Sequence, residues 1–370
     1  MDFDTTGCFL VLLSFTINFM WGCVFKSLGV LLPTLTEQFT THTWIIGTIA
    51  SITAATADIG GPSMGIITLL VNVLQARHFQ RRYTLACGIG HVGNAVAFLA
   101  FAPMTQLFLD TYGWRGAALL IAGISMHQIA SAAVVRVTKA QYEPLTDSLD
   151  NHQDDTDKEG CSSRGKKSCL HLLKAIDLGI LTEFKFWIAF MCRFGVTCAF
   201  DSWMLYYVPH LEVKGFPPLV AAALCSAAAV GYFLGAIVWA PFIDRDMVKC
   251  STAIIISSLF LTLSFVVDPW VTDIPSCVFV TFVCGLFASA VYTLVDVLVK
   301  DIFEMDRLVS AFAWVKFFLF VPRLFGGFVP GWVYDTRGSY DLAFIVIGLV
   351  PTICLVPLII GILRKTTKGL

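Results

Sequence analysis

Charge is scarce in this sequence. Asp, Glu, Lys and Arg make up 14% of 370 residues and nearly cancel, leaving a formal net charge of −1. No basic field exists to hold nucleic acid. The twelve cysteines stand singly, with no CxxC pair and no His at metal-ligand spacing. They read as small apolar packing residues, which excludes a disulfide or zinc framework. No phosphate-cradling loop, metal cage or nucleophile–base–oxyanion set can be drawn, so an enzyme is the least favoured class and no cofactor is expected. The positive n-region of a signal peptide is also lacking, and the first apolar run is therefore read as a span.

What fills the sequence instead is apolar: 57% of the residues, with a mean hydropathy of +0.77. This is the composition of an all-α polytopic membrane protein, with the lipid bilayer as its solvent. Apolar segments lie at about 8–32, 44–76, 84–108, 115–135, 186–209, 217–242, 252–271, 276–299, 308–332 and 341–363, about ten spans if 44–76 crosses once. That second segment is long, and Asp58-Ile59-Gly60-Gly61-Pro62 interrupts it, so it reads as one kinked helix or as two short elements. Eighteen of the 25 Lys and Arg residues fall on the side of the N-terminus and only Arg115, Lys214 and Arg337 on the other. The bias places both termini in the cytoplasm, and Arg77, Arg81 and Arg82 among the orienting charges. One long polar stretch, with EPLTDSLDNHQDDTDKEG and SSRGKK, divides the chain. The expected organisation is an N-terminal helical bundle of about four spans (1–136), a disordered cytoplasmic linker (137–185) and a C-terminal six-helix bundle (186–370).

Four cations lie within spans: Lys26, Arg193, Lys316 and Arg323. An ammonium at membrane depth costs roughly 2.5–3.5 kcal/mol, so such a residue faces a cavity or a partner rather than lipid. Lys26 is the only charged residue between Phe9 and Leu32, with apolar sequence on both sides, and marks a pathway. Arg323 and Lys316, seven residues apart, share nearly one helical face. Asp201, on the span of Arg193, and Asp296 are the acidic counterparts. Opposite charges here serve equally to close the bundle, Arg193 or Arg323 pairing with Asp201 or Asp296, or to bind substrate. His91 and His127 read first as hydrogen-bonded core residues and second as proton relays. Gly231 and Gly235 form a GxxxG pair suited to close helix packing.

Several stretches, in order, resemble the monocarboxylate transporter family of the major facilitator superfamily. They are Phe25-Lys26-Ser27-Leu28-Gly29-Val30, Thr43-Trp44-Ile45-Ile46-Gly47, Arg77 to Arg82 with Leu85-Ala86-Cys87-Gly88-Ile89, and Tyr112-Gly113-Trp114-Arg115-Gly116-Ala117. Asp306-Arg307-Leu308 and Gly331-Trp332-Val333-Tyr334-Asp335 continue the series. The resemblance implies a major-facilitator-like two-bundle fold and a Lys, here Lys26, that takes part in binding an anionic substrate and a proton. It also implies departures. The segment 44–51 resembles the start of the family's second helix and 53–77 its fourth, which leaves a shortened N-terminal bundle. The family's Asp and Arg four residues apart on the eighth helix correspond here to Tyr232 and Ala236. Substrate contacts are therefore expected from Lys26, Arg193, Arg323, Lys316 and Tyr232, and proton coupling from Lys26, Asp201 and Asp296.

The function expected is a plasma-membrane, multi-pass secondary transporter of small monocarboxylates or related organic anions, with proton symport and a single-span accessory subunit as candidate partners. The alternatives are an uncoupled carrier of aromatic amino acids or other neutral or zwitterionic solutes, and a transport-incompetent shortened form.

Overall fold

The structure, a computed structural model, describes residues 5–59, 64–79, 81–127 and 177–364. Most of the linker 137–185, the end of the apolar segment 115–135 and the side chain of Asp58 lie outside the described residues. Every regular element among the described residues is a helix. In hydrocarbon a helix satisfies its own backbone polar groups, which no open strand can do.

The N-terminal set comprises α1 (Thr5–Gln38), α2 (Thr43–Ile59), α3 (Met64–His78) and α4 (Tyr83–Ser125). The C-terminal set follows: α5 (Phe184–Val213), α6 (Pro218–Val238), α7 (Ala240–Ile243), α8 (Cys250–Val267), α9 (Ile274–Ile302), α10 (Leu308–Phe318), α11 (Phe320–Arg337), α12 (Asp341–Ile353) and α13 (Val356–Leu363). Eight of the resulting segments are long and apolar enough to cross a membrane. The interrupted second segment resolves into two elements, α2 and α3.

α4 is two passes in one. At Gly113 the backbone has φ 67° and ψ 176°, a region open in practice only to glycine. Before it, α4 runs alongside α1 in the same direction, with Gly93 against Phe15 and Ala97 against Gly22. After it, Trp114 packs on Phe39 with ring centroids 5.6 Å apart, and Ala117 and Ile121 join Leu31 in one apolar cluster. Contacts now descend α1, so the chain has reversed. With α2 and α3 as one pass and α4 as two, the helices make about ten passes.

Boundaries elsewhere have local causes. Proline begins α6, where its absent N–H costs nothing. Asp273 caps α9 by accepting from the Ser276 amide at 3.0 Å, and these bonds hold its carboxyl below the usual value. Gly338, at φ 72°, ends α11 in the left-handed conformation. Ahead of α5, Asp177 and Glu183 flank the short 3-10 helix Leu178–Thr182, and both bind Arg307 at the head of α10. Hydrogen bonds to Glu183 and Asp177 raise the Arg307 guanidinium above its ordinary value.

Within the C-terminal set, α6 and α9 touch backbone to backbone. A Cβ on Gly235 would lie 1.9 Å from the Leu286 carbonyl oxygen, and one on Gly285 2.1 Å from that of Ala228. Small residues permit this approach where lipid supplies no hydrophobic drive between helices. The two sets meet in the same way: a Cβ on Gly29 of α1 would lie 2.4 Å from the Met204 carbonyl of α5, and one on Gly47 of α2 would lie 2.6 Å from that of Gly327 of α11.

A carboxylate joins the sets at each end of the molecule. Asp335, ending α11, accepts from the amides of Thr43 and Trp44 at the start of α2, at 3.2 and 3.3 Å. Asp244, after α7, accepts from Thr84 and Leu85 at the start of α4, both at 3.2 Å. Each supplies an anion to a helix N-terminus belonging to the other set.

Candidate functional site: a charged cavity between the helix sets

Between the two sets lies a cavity of about 80 Å³. Its N-terminal wall includes Asn18, Trp21 and Phe25 of α1 and His91, Asn94 and Phe98 of α4. The opposite wall carries Arg193, Phe200 and Asp201 of α5, Tyr232 of α6, Tyr292 of α9, Lys316 of α10 and Arg323 of α11.

The charges are organised as pairs. Arg323 donates from Nη1 to Asp201 Oδ2 at 2.6 Å, and its guanidinium lies 4.5 Å from the Trp21 ring. Arg193 donates from Nη1 to Asp296 Oδ1 at 3.1 Å and to the Tyr292 carbonyl at 3.0 Å, with its guanidinium 4.7 Å from the Tyr292 ring. The Tyr292 hydroxyl in turn donates to Asp201 at 3.3 Å, which links the two pairs. All four ionic side chains are more than nine-tenths buried, where a charge persists only with a partner. Both pairs lie within the C-terminal set.

Besides Arg323 over Trp21, two buried polar contacts here cross between the sets. His91 Nε2 of α4 lies 3.1 Å from Asp296 Oδ2 of α9, so Asp296 is shared between a guanidinium and an imidazole. Lys26 Nζ of α1 donates to Cys225 Sγ of α6 at 3.2 Å and stands 4.9 Å from the Trp203 ring of α5. Lys26 is 0% exposed. It is absent from the cavity lining, where its neighbour Phe25 appears, so the amine lies behind the wall, at the junction of three helices. A thiol and a ring face are weak partners for an ammonium with three donors.

Of the residues singled out from the sequence, Arg193, Asp201, Tyr232, Lys316 and Arg323 line one cavity, and Asp296 adjoins it through Arg193 and His91. Lys316 and Arg323 line it together although the helix breaks at Leu319 between them. Tyr232 is ringed by Phe98 and Phe200, at 5.3 and 5.5 Å between centroids. His127 sits apart, on an exposed helix end near the Ile124 carbonyl.

Sequence reasoning missed Asn18 and Asn94, whose only signal was an amide in an apolar run. It also passed over Trp21, Phe98 and Phe200 as lining residues, because aromatics are common in every span. Among the described residues no group of three or more His, Cys, Asp or Glu is arranged to hold a metal.

A family model described as Major Facilitator Superfamily matches residues 59–266 and, overlapping, 186–369. Monocarboxylate transporter 12 of Rattus norvegicus is 25% identical over 285 residues, 74% of this chain and 58% of that protein. Monocarboxylate transporter 13 of the same species is 23% identical over 331 residues, 89% of this chain and 69% of that protein. The chain thus spans less than two thirds of the first of these relatives. The crystal structure of a variant of the E. coli fucose:proton symporter FucP superposes with a TM-score of 0.52 at 14% identity, covering 94% of this chain and 97% of that one, a likeness of fold. Two helix sets meeting at a charged cavity are thus set in a known architecture, and the chain belongs to the Major Facilitator Superfamily, with monocarboxylate transporters among its curated relatives.

Proposed function

We propose that this chain is a secondary transporter that moves small monocarboxylates or related organic anions across the plasma membrane, by alternating access between α1–α4 and α5–α13. The observation that carries the reading is the cavity between the sets, lined by Arg193, Lys316 and Arg323. A guanidinium offers a fork that matches both oxygens of a carboxylate. Each Arg here is held by an Asp, so a proton arriving on Asp201 or Asp296 releases a guanidinium for substrate, and proton and anion travel together. Lys26, at the contact between the sets, senses their separation. The Lys and Arg distribution supports an orientation with both termini in the cytoplasm, and a single-span accessory subunit is a candidate partner.

The test is uptake into proteoliposomes with an imposed pH gradient. Labelled lactate should accumulate with the gradient, and Lys26→Ala or Arg323→Ala should abolish accumulation. Uptake indifferent to the gradient and to both substitutions removes the mechanism.

The pairing also favours a second reading. Because each lining Arg is already neutralised and Trp21, Phe98, Phe200, Tyr232 and Tyr292 surround the space, an uncoupled carrier of aromatic amino acids or other neutral or zwitterionic solutes fits the same cavity. Competition between labelled lactate and unlabelled amino acids separates the two. A transport-incompetent shortened form is excluded if the purified chain binds either class in a thermal-shift titration.

A further inference from the structure

One contact between the helix sets joins two groups that can become covalently bonded. Lys26 Nζ of α1 lies 3.2 Å from Cys225 Sγ of α6, although 199 residues separate them in sequence. Among the described cysteines only Cys225 accepts a hydrogen bond from an amine. Its own S–H is directed elsewhere, to the Ala221 carbonyl at 3.5 Å, so the sulfur turns a lone pair to Lys26. Both side chains are sealed in the seam, 0% and 1% exposed. The transport reading uses the amine and leaves the thiol without a task.

Burial shields this thiol while the sets are closed, because oxidation follows exposure and the thiolate is the form that reacts. The shield is only as permanent as the closure. On the transport reading, separation of α1 from α6 uncovers both groups, and a small peroxide then has access to the sulfur. Reclosure carries the sulfur back against an amine, which in its unprotonated form is a nucleophile.

We propose that Cys225 is a site of reversible oxidation, and that its sulfenic acid is captured by Lys26 in a sulfenamide bond that locks the two helix sets together. In the first step the thiol gives up its proton and the sulfur attacks one oxygen of the peroxide. The O–O bond breaks, an S–OH bond forms, and the other oxygen leaves as water with that proton; sulfur is oxidised by two electrons and the peroxide is reduced. In the second step Nζ, having lost its ammonium proton to water, attacks the sulfenic sulfur. The S–O bond breaks, an N–S bond forms, and hydroxide leaves with a proton from the nitrogen as water. A dithiol restores both groups by attack on the sulfur and ends as its own disulfide. The bond bars the movement of α1 away from α6, so a carrier oxidised while working is stopped. The inference rests on the transport reading of the cavity and adds a regulation to it.

The experiment treats proteoliposomes of the full chain with hydrogen peroxide at neutral pH, with lactate on both sides or with none. Lactate counterflow is then measured, and the protein is digested for mass spectrometry. A peptide pair joined through Lys26 and Cys225, lighter than its two parts by two hydrogens, should accompany a fall in counterflow of at least about tenfold, both reversed by dithiothreitol. Lactate cycling should raise the rate of cross-linking by about threefold or more, since only the separated sets expose the thiol. Cys225→Ala should give no joined pair, and peroxide should change its counterflow by less than about twofold. The wild-type cross-link decides the matter if the variant fails to fold. Wild type that forms no joined pair, or that forms it and keeps its counterflow, overturns the lock while leaving transport standing. Untreated wild type without lactate counterflow overturns the transport reading, and the lock with it.

Discussion

The ion pair between Arg323 and Asp201 offers a direct measure of how the cavity is held. At 2.6 Å, with the side chains 9% and 8% exposed, the gross attraction is on the order of 6 kcal/mol at an effective dielectric of about 20. Removing two ions from water costs several kcal/mol each, so the intact pair contributes little net stability. Breaking it is different, because the survivor remains buried without its counter-charge, a loss of about 3–5 kcal/mol. Asp201→Leu and Arg323→Met, each alone, should therefore lower the thermal transition of the detergent-purified protein by roughly 6–10 °C, at about 2 °C per kcal/mol for a long chain. Asp201→Leu should fall nearer the larger figure, since it also strips the Tyr292 hydroxyl of its acceptor. The double variant replaces both ions by apolar groups of similar size and should return to within about 4 °C of the parent. Intrinsic fluorescence or a thiol-independent dye follows the transition. If the double variant loses the sum of the two single losses, the two residues do not act as a pair and the account of the cavity charges is wrong.

Three further outcomes follow from the same geometry. Lys26→Met removes a buried ammonium whose partners are a thiol and a ring, so the thermal transition should hold or rise while lactate counterflow falls at least about tenfold. Asp335→Ala and Asp244→Ala each remove a cap that joins the sets; a cap contributes about 0.5–2 kcal/mol, so a cysteine placed at Trp44 or at Leu85 should react roughly 2- to 30-fold faster in the matching variant. Asp273 has a depressed folded-state value through its bonds to Ser276, so its stabilisation is present above the unfolded carboxylate pKa and lost as pH falls through the lower folded one. Thermal transitions of wild type and Asp273→Ala, compared over that acid window, should converge as pH falls; parallel curves would refute the cap.

How much of this could be read from residues alone depends on the range of the interaction concerned. The helices were legible because a bilayer demands long apolar runs, and the break between α2 and α3 was foreshadowed by Gly60-Gly61-Pro62. The reversal in α4 was legible too, since Tyr112-Gly113-Trp114 separates two apolar segments and only glycine accepts the backbone found there. That these charges pair was one of the two readings the residues offered; which Arg takes which Asp was not legible. Arg193 and Asp201 share α5, yet each finds its partner on another helix, Asp296 of α9 and Arg323 of α11, and such register across helices leaves no trace in spacing. His91 read as an ordinary core histidine. It is hydrogen-bonded, as that reading expects, but only at one nitrogen.

The distribution of bonds within and between the helix sets bears on what can move. The Arg193–Asp296 and Arg323–Asp201 pairs are internal to α5–α13, so separation of the sets need not break either ion pair. The contacts between the sets include Lys26 to Cys225, His91 to Asp296, Lys300 to the Phe79 carbonyl, Arg323 over Trp21, and the caps at Asp244 and Asp335. The caps lie at helix ends, where water replaces a lost carboxylate cheaply. Lys26 and His91 lie deeper, and their separation would leave an ammonium and an imidazole without partners beside a space of about 80 Å³, room for only a few waters. A ligand carboxylate, an acceptor, can replace what both of them lose. On the transport reading proposed above, opening toward either side is favoured with substrate bound and resisted without it. An empty carrier should accordingly reorient more slowly than a loaded one, and counterflow should exceed net efflux for any substrate that engages both walls.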